Sequence, residues 1–216
     1  MLNYRLMTAS YALESVQSGL LKVGDIVKLN DPSDCAPIIT GLPERYDDFP
    51  DLAIRHIFSQ VADAVGVLCY TNAIIDPVVW SHYGDSHKGI ALGFDIPPSR
   101  YAREIQYLEA RPSISVYDMD DRPAMGLMDS DVLFRKSPSW IYEKEVRQVF
   151  LLDECIPSRG MYFYRYPPES LKEIVIGDRC EVNIRYISNL LKSIKRDDVA
   201  VKRAINQQGS FSINIQ

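Results

Sequence analysis

The chain has 216 residues, 46% of them hydrophobic, and a formal net charge of −5. That length suits one full hydrophobic core and a single α+β domain spanning residues 1–216. The acidic balance argues against general nucleic-acid binding, because neutralising a phosphate backbone needs a basic face.

Cys35, Cys69, Cys155 and Cys180 are the four cysteines. They are far apart and form no C-x-x-C pair, so the sequence predicts reduced thiols in a cytoplasmic protein rather than a zinc module or a disulfide framework. No apolar run is long enough for a signal peptide or a membrane span, so no membrane association is expected.

Taken in order, Tyr4–Met7 reads as a strand. Thr8 or Ser10 then caps a helix with a Leu13, Val16, Leu20 stripe that stops at Gly19. Asn30-Asp31-Pro32 is a turn signal, and the proline-bearing stretch from Ala36 to Pro50 reads as irregular. Residues 51–64 show helical spacing of Ile54, Ile57, Phe58 and Val61, with His56 as a structural residue beside that face. Val65–Thr71 is a continuous apolar run of strand length, consistent with burial on both faces. Asp76-Pro77 has the form of an N-cap and first helical residue, opening a short helix that carries Trp80 and His82 and breaks at Gly84. Lys88–Ile96 follows as a strand.

The second half reads as a strand over Glu104–Leu108, an acidic solvated segment over 118–123, and a helix over Met125–Phe134. An extended segment from Glu143 would place Glu143, Glu145 and Arg147 on one face. Strands over Met161–Tyr166 and Lys172–Ile176, a helix over Val182–Ile194 and two closing strands, Val199–Ile205 and Ser210–Ile215, complete a pattern of mixed or antiparallel sheets with flanking helices.

Two groups of residues carry chemistry. His82, Asp85 and His87 have the residue types of a metal site, with Asp95 nearby, which keeps a metal-dependent hydrolase or nuclease open as a reading. Their spacing fits a hydrogen-bonded loop better, and no metal is expected. Cys69 paired with His82 or His87 would resemble a nucleophile and its base, but it lies in an apolar strand, where a thiol behaves as a small hydrophobe. Glu143, Glu145 and Arg147 read either as a salt-bridged strand face or as the wall of a cleft.

Leu68-Cys69-Tyr70-Thr71, Trp80-Ser81-His82-Tyr83-Gly84, His87-Lys88-Gly89, Phe94-Asp95 and the run Trp140–Arg147 resemble the pattern of the bacterial DUF2971 family, whose name denotes unknown function. The order of Tyr4-Arg5, a helix, Tyr70-Thr71 and a late glutamate is also similar to ADP-ribosyltransferase-like domains. That resemblance implies NAD as substrate and a role in bacterial conflict or phage defence. Arg5 would hold the nucleotide, Tyr70 or Thr71 would line the nicotinamide pocket, and Glu145 or Glu143 would be the catalytic carboxylate. Trp80, His82, Tyr83, His87 and Arg147 are further pocket candidates, with a small nucleotide as the expected ligand. The competing expectation is a non-catalytic sensor or partner-binding domain, with a protein partner possible, whose His82–Lys88 loop contacts an effector while the glutamate face is structural.

Overall fold

A computed structural model describes residues 1–44, 48, 50–118 and 123–216. It is an α+β structure built on mixed sheets. Its elements in chain order are β1 (Asn3–Met7), α1 (Ala9–Ser18), β2 (Leu20–Lys22), β3 (Gly24–Asp25), β4 (Ile38–Thr40), α2 (Pro50–Ala62), β5 (Val65–Thr71), α3 (Pro77–Tyr83), β6 (Ile90–Phe94), β7 (Ala102–Glu104), β8 (Gln106–Tyr107) and β9 (Ser113–Ser115). They continue with α4 (Pro123–Asp129), β10 (Arg135–Lys136), β11 (Glu145–Leu151), β12 (Ile156–Ser158), β13 (Met161–Arg165), β14 (Leu171–Ile176), α5 (Ile184–Ser193), β15 (Ala200–Asn206) and β16 (Ile213–Ile215). No helix among the described residues is long and apolar enough to cross a membrane.

Local chemistry accounts for the helix ends. The Thr8 side chain accepts from the Tyr11 amide at the start of α1, and Gly19 closes the helix with a left-handed φ of 71°. Asp76 caps α3 by accepting from the Val78 amide, with Pro77 following it in the first turn. Asn183 caps α5 in the same way. Ile184, in the first turn of that helix, stays 39% exposed, while Ile187 and Leu191 are buried.

The main sheet runs β16-β15-β14-β6-β1-β5-β11-β7, with β3 also on β5. Only the β14–β15 pair is parallel; the others are antiparallel. One face packs Leu68, Leu92 and Ile174 under Ala12 of α1 and Ile187 of α5. The alternate residues Val65, Val67 and Val149 pack with Val61 of α2 and with Leu127, Leu133 and Phe134. A third cluster gathers Ala91 and Val175 around the fully buried Trp80.

The seam between β1 and β5 is unusual. β1 pairs with β6 over five residues and β5 pairs with β11 over seven, yet β1 and β5 share one pair, Tyr4–Thr71. Beyond it the strands diverge, and β3 joins β5 lower down through Gly24–Val67. The Arg5 guanidinium lies in the gap, donating to the carbonyls of Cys69 (3.2 Å) and Lys22 (3.1 Å). Those carbonyls receive a charged donor in place of a ladder partner.

Several expected elements differ. The strand over 104–108 is two short strands interrupted at Ile105, whose side chain turns into the second core while its amide donates to the Glu145 carbonyl. The helix over 125–134 stops at Asp129. There the Ser130 hydroxyl bonds back to Leu127 O and accepts from the Val132 amide, ending the α-ladder before a 3₁₀ turn at 132–134. Within the stretch read as irregular, Ile38–Thr40 pairs in parallel with β9. Residues 45–47 and 49 of that stretch, and 119–122 of the acidic segment, lie outside the described residues. His56 is exposed on α2 rather than packed against its apolar face.

Glu143 is not on the strand predicted to carry it. Ser137 caps a 3₁₀ turn over Pro138–Glu143, Lys144 adopts a left-handed conformation with φ 44°, and β11 begins at Glu145. The left-handed residue turns the chain sharply enough to bring both glutamates to one place by a route other than strand alternation.

Candidate functional site

A cavity of about 280 Å³ lies beside the β1–β5 seam. The sheet contributes Tyr4, Arg5, Cys69, Tyr70, Thr71 and Glu145, and α3 contributes Val79 and Tyr83. The segment 28–34 supplies Lys28, Asn30, Asp31 and Asp34, while Lys136, Trp140 and Glu143 complete the wall. Its volume sits at the small end of the range for small-molecule sites, large enough for one ring and its substituents. The indole Nε1 of Trp140 donates to Asp31 Oδ2 at 2.9 Å and ties two walls together.

Behind the cavity is a buried charge cluster. Arg147 has no solvent exposure. Its Nη1 and Nη2 each bond one oxygen of Asp34 at 2.9 Å, and its Nε and Nη2 reach Glu145 Oε1 and Oε2 at 2.7 and 3.1 Å. Nη1 also donates to Leu133 O at 2.8 Å. Each acid thus receives a two-pronged grip, the geometry that a guanidinium forms best.

Lys136 extends the cluster to the cavity wall. Its Nζ lies 2.6 Å from Glu143 Oε2, 3.0 Å from Glu145 Oε2 and 3.4 Å from Asp34 Oδ2. Burial works to lower its pKa, but Glu145, Asp34 and Glu143 together carry it above the ordinary lysine range. The other Glu143 oxygen, Oε1, accepts from the Tyr83 hydroxyl. The Glu143 carbonyl accepts from the Thr71 hydroxyl, whose oxygen in turn accepts from the Ala73 amide. The Tyr107 hydroxyl accepts from the Glu145 amide at 2.9 Å.

The two glutamates have opposite electrostatics. Burial pushes Glu145 upward, but Arg147 and then Lys136 outweigh it and hold the carboxyl down to about 2. Glu143 is shifted up: its burial prevails over Lys136 and the Tyr83 bond, and the Glu145 charge adds to the rise. Glu145 is therefore a fixed anion in a structural cluster, and Glu143 is the carboxyl whose proton is easier to place and remove.

The residues singled out from sequence fall into two groups. Arg5, Tyr70, Thr71, Tyr83, Glu143 and Glu145 all border the cavity. Arg147 stands behind it, joined to the wall through Glu145. Trp80 is buried in the third cluster, with its Nε1 bonded to Ile74 O at 2.7 Å. His87 stacks on Trp80 with ring centroids 6.4 Å apart, and burial and then Arg179 lower its pKa. His82 turns the other way, its Nδ1 2.9 Å from the Tyr142 hydroxyl. His82, Asp85, His87 and Asp95 do not converge, and the described residues contain no group of three histidine, cysteine, aspartate or glutamate side chains able to hold a metal.

Cys69 lies in the cavity wall, where burial lifts its thiol to about 12, far from an activated thiolate. Two members of the charge cluster, Asp34 and Lys136, were not apparent from the sequence. Each sits in a turn or a two-residue strand with no periodic signal. The clue available was Arg147 itself: an arginine in a strand that also carries Val146, Val149 and Phe150 needs an acid partner if it is buried there.

Residues 79–148 match the family described as Protein of unknown function (DUF2971). The DUF2971 segment begins in α3, ends within β11, and contains Tyr83, Lys136, Trp140, Glu143, Glu145 and Arg147. The walls from β1, the 28–34 segment and β5 come from outside it. No curated protein and no solved structure matches the chain.

Proposed function

We propose that the cavity binds a nicotinamide nucleotide and that the protein transfers or hydrolyses its ADP-ribosyl group. The observation that carries this reading is the meeting of Arg5, Tyr70, Thr71 and the glutamate pair at one cavity beside the divided seam, although they are separated by up to 140 positions in the chain. Cleaving the bond between nicotinamide and ribose builds positive charge on the ribosyl carbon as the pyridine leaves with the bonding electron pair. A carboxylate in the cavity wall stabilises that charge and takes the proton of the attacking hydroxyl. Glu143 suits this work through its raised pKa and its place in the wall, with Glu145 as its support.

The cavity accommodates a ring and part of a sugar, so the remainder of a dinucleotide would extend outside it. Arg5 borders the cavity, but its guanidinium is engaged with two main-chain carbonyls. That engagement favours a second reading, a sensor that binds the nucleotide without consuming it.

Titration calorimetry with NAD, together with an assay for released nicotinamide, tests both. The transferase reading expects saturable binding and nicotinamide release, with Glu143→Gln retaining binding and losing release. Binding without release supports the sensor. Absence of both overturns the nucleotide assignment.

A further inference from the structure

Three carboxylates, Asp34, Glu143 and Glu145, face two cations, Lys136 and Arg147, in one cluster. One formal negative charge is left without a matching cation, and the hydrogen bonds say where it falls. Both oxygens of Asp34 and both of Glu145 are held by Arg147. Glu143 has no contact with Arg147: its Oε2 is held by Lys136 and its Oε1 by the neutral Tyr83 hydroxyl. The oxygen facing Tyr83 is the one that a ligand hydroxyl or N–H can take over without breaking an ion pair.

We infer that Lys136 is a positioning residue of the cavity: its ammonium fixes Glu143 by one oxygen, keeps it ionised, and so presents the other oxygen to a hydrogen-bond donor on the ligand. The inference concerns the charge state of the same cavity, so its use in turnover rests on the nucleotide reading, whereas the charge state itself does not.

Among the described residues, the charged and titratable groups around Glu143 bear on this. Tyr83 approaches from α3, Lys136 from β10, Glu145 from β11 and Tyr107 from β8, with Tyr142 preceding it in its own turn. Among them Lys136 is the single cation, and its Nζ is also 4.9 Å from the Trp140 ring centroid. Arg147 cannot replace it, since its five N–H groups are directed at Asp34, Glu145, Cys35 and Leu133. Without Lys136, Glu143 keeps its burial and the repulsion of Glu145 but loses its counter-charge.

The test needs no ligand. Infrared spectra of the full chain are recorded across pH for wild type, Lys136→Met, Lys136→Arg and Lys136→Met/Glu143→Gln, with circular dichroism reporting the fold. The expected result is a protonated-carboxyl band whose midpoint rises by about 1–3 pH units in Lys136→Met, stays near wild type in Lys136→Arg and disappears in the double variant. If Lys136→Met does not fold, the wild-type protein carries the test through nuclear magnetic resonance: the Lys136 Cε signal, assigned with Lys136→Arg, shifts at the midpoint of the Glu143 carboxyl, assigned with Glu143→Gln. An unmoved infrared midpoint in folded Lys136→Met, or a Lys136 signal indifferent to the Glu143 titration, overturns the inference. These outcomes are independent of NAD turnover, so failure of the nucleotide assignment is separately visible.

Discussion

Arg147 and Asp34, 113 positions apart in the chain, are joined by two parallel bonds of 2.9 Å inside the protein. The pair fastens the 28–34 segment to the central sheet, and with it one wall of the cavity. Removing the guanidinium leaves Asp34 and Glu145 buried with only Lys136 to answer them. Arg147→Met is expected to destabilise the fold by about 3–5 kcal/mol, as breaking one side of a buried ion pair does. Urea denaturation measures it, and a loss below 1 kcal/mol would contradict the account.

Acid should weaken the same cluster. The folded-state pKa of Glu145 is depressed to about 2 from an ordinary value of 4.5. Its stabilising contribution is therefore complete above the unfolded-state value and is lost as pH falls through 4.5 towards 2. Glu145→Gln should flatten this part of the stability profile, measured by denaturant melts at a series of acidic pH values. An unchanged acid slope in the variant would assign the loss to other groups.

Arg5 offers a test of whether the seam depends on a guanidinium. Arg5→Lys can serve at most one of the two carbonyls well, because an ammonium lacks the flat fork that spans Cys69 O and Lys22 O. A loss of about 1 kcal/mol is expected, the usual net worth of a hydrogen bond. Equal stability of Arg5→Lys and wild type in thermal melts would show that water satisfies the gap.

Gly177 approaches backbone on two sides. A Cβ there would press into the carbonyls of His87 and Gly89, neither of which is a flexible side-chain end. Gly177 also donates its amide to Gly89 O at 2.9 Å, and Arg179 donates to His87 O at 3.0 Å. Gly177→Ala should cost about 1–3 kcal/mol through overpacking and displace the 84–89 loop. Amide exchange at Gly89 and Arg179 would report the displacement.

Much of the scaffold could be read from short-range signals. Val65–Thr71 matched β5 end to end because an uninterrupted apolar run belongs to a strand covered on both faces. Thr8, Gly19, Asp76 and Pro77 marked helix ends because capping is decided within three or four residues. The site was less legible. Glu143 and Glu145 do converge, but a left-handed residue between them performs the turn that alternation was expected to provide. Asp34 and Lys136 join them through contacts that exist only after the sheet has formed. Trp80 and His87 illustrate the reverse: a conspicuous sequence cluster whose members serve packing and loop geometry.

The single Tyr4–Thr71 pair has a mechanical consequence. It divides the long sheet into two stiff panels, one carrying β14, β6 and β1 and the other β5, β11 and β7, sewn by one stitch and buttressed by the Arg5 side chain. Parting β1 from β6 would undo five residue pairs and parting β5 from β11 seven, but parting the panels undoes one. Counted in backbone pairs this line is the thinnest in the sheet, so the shared core of Leu68, Leu92 and Ile174 does most to hold the panels together, and the cavity lies along it.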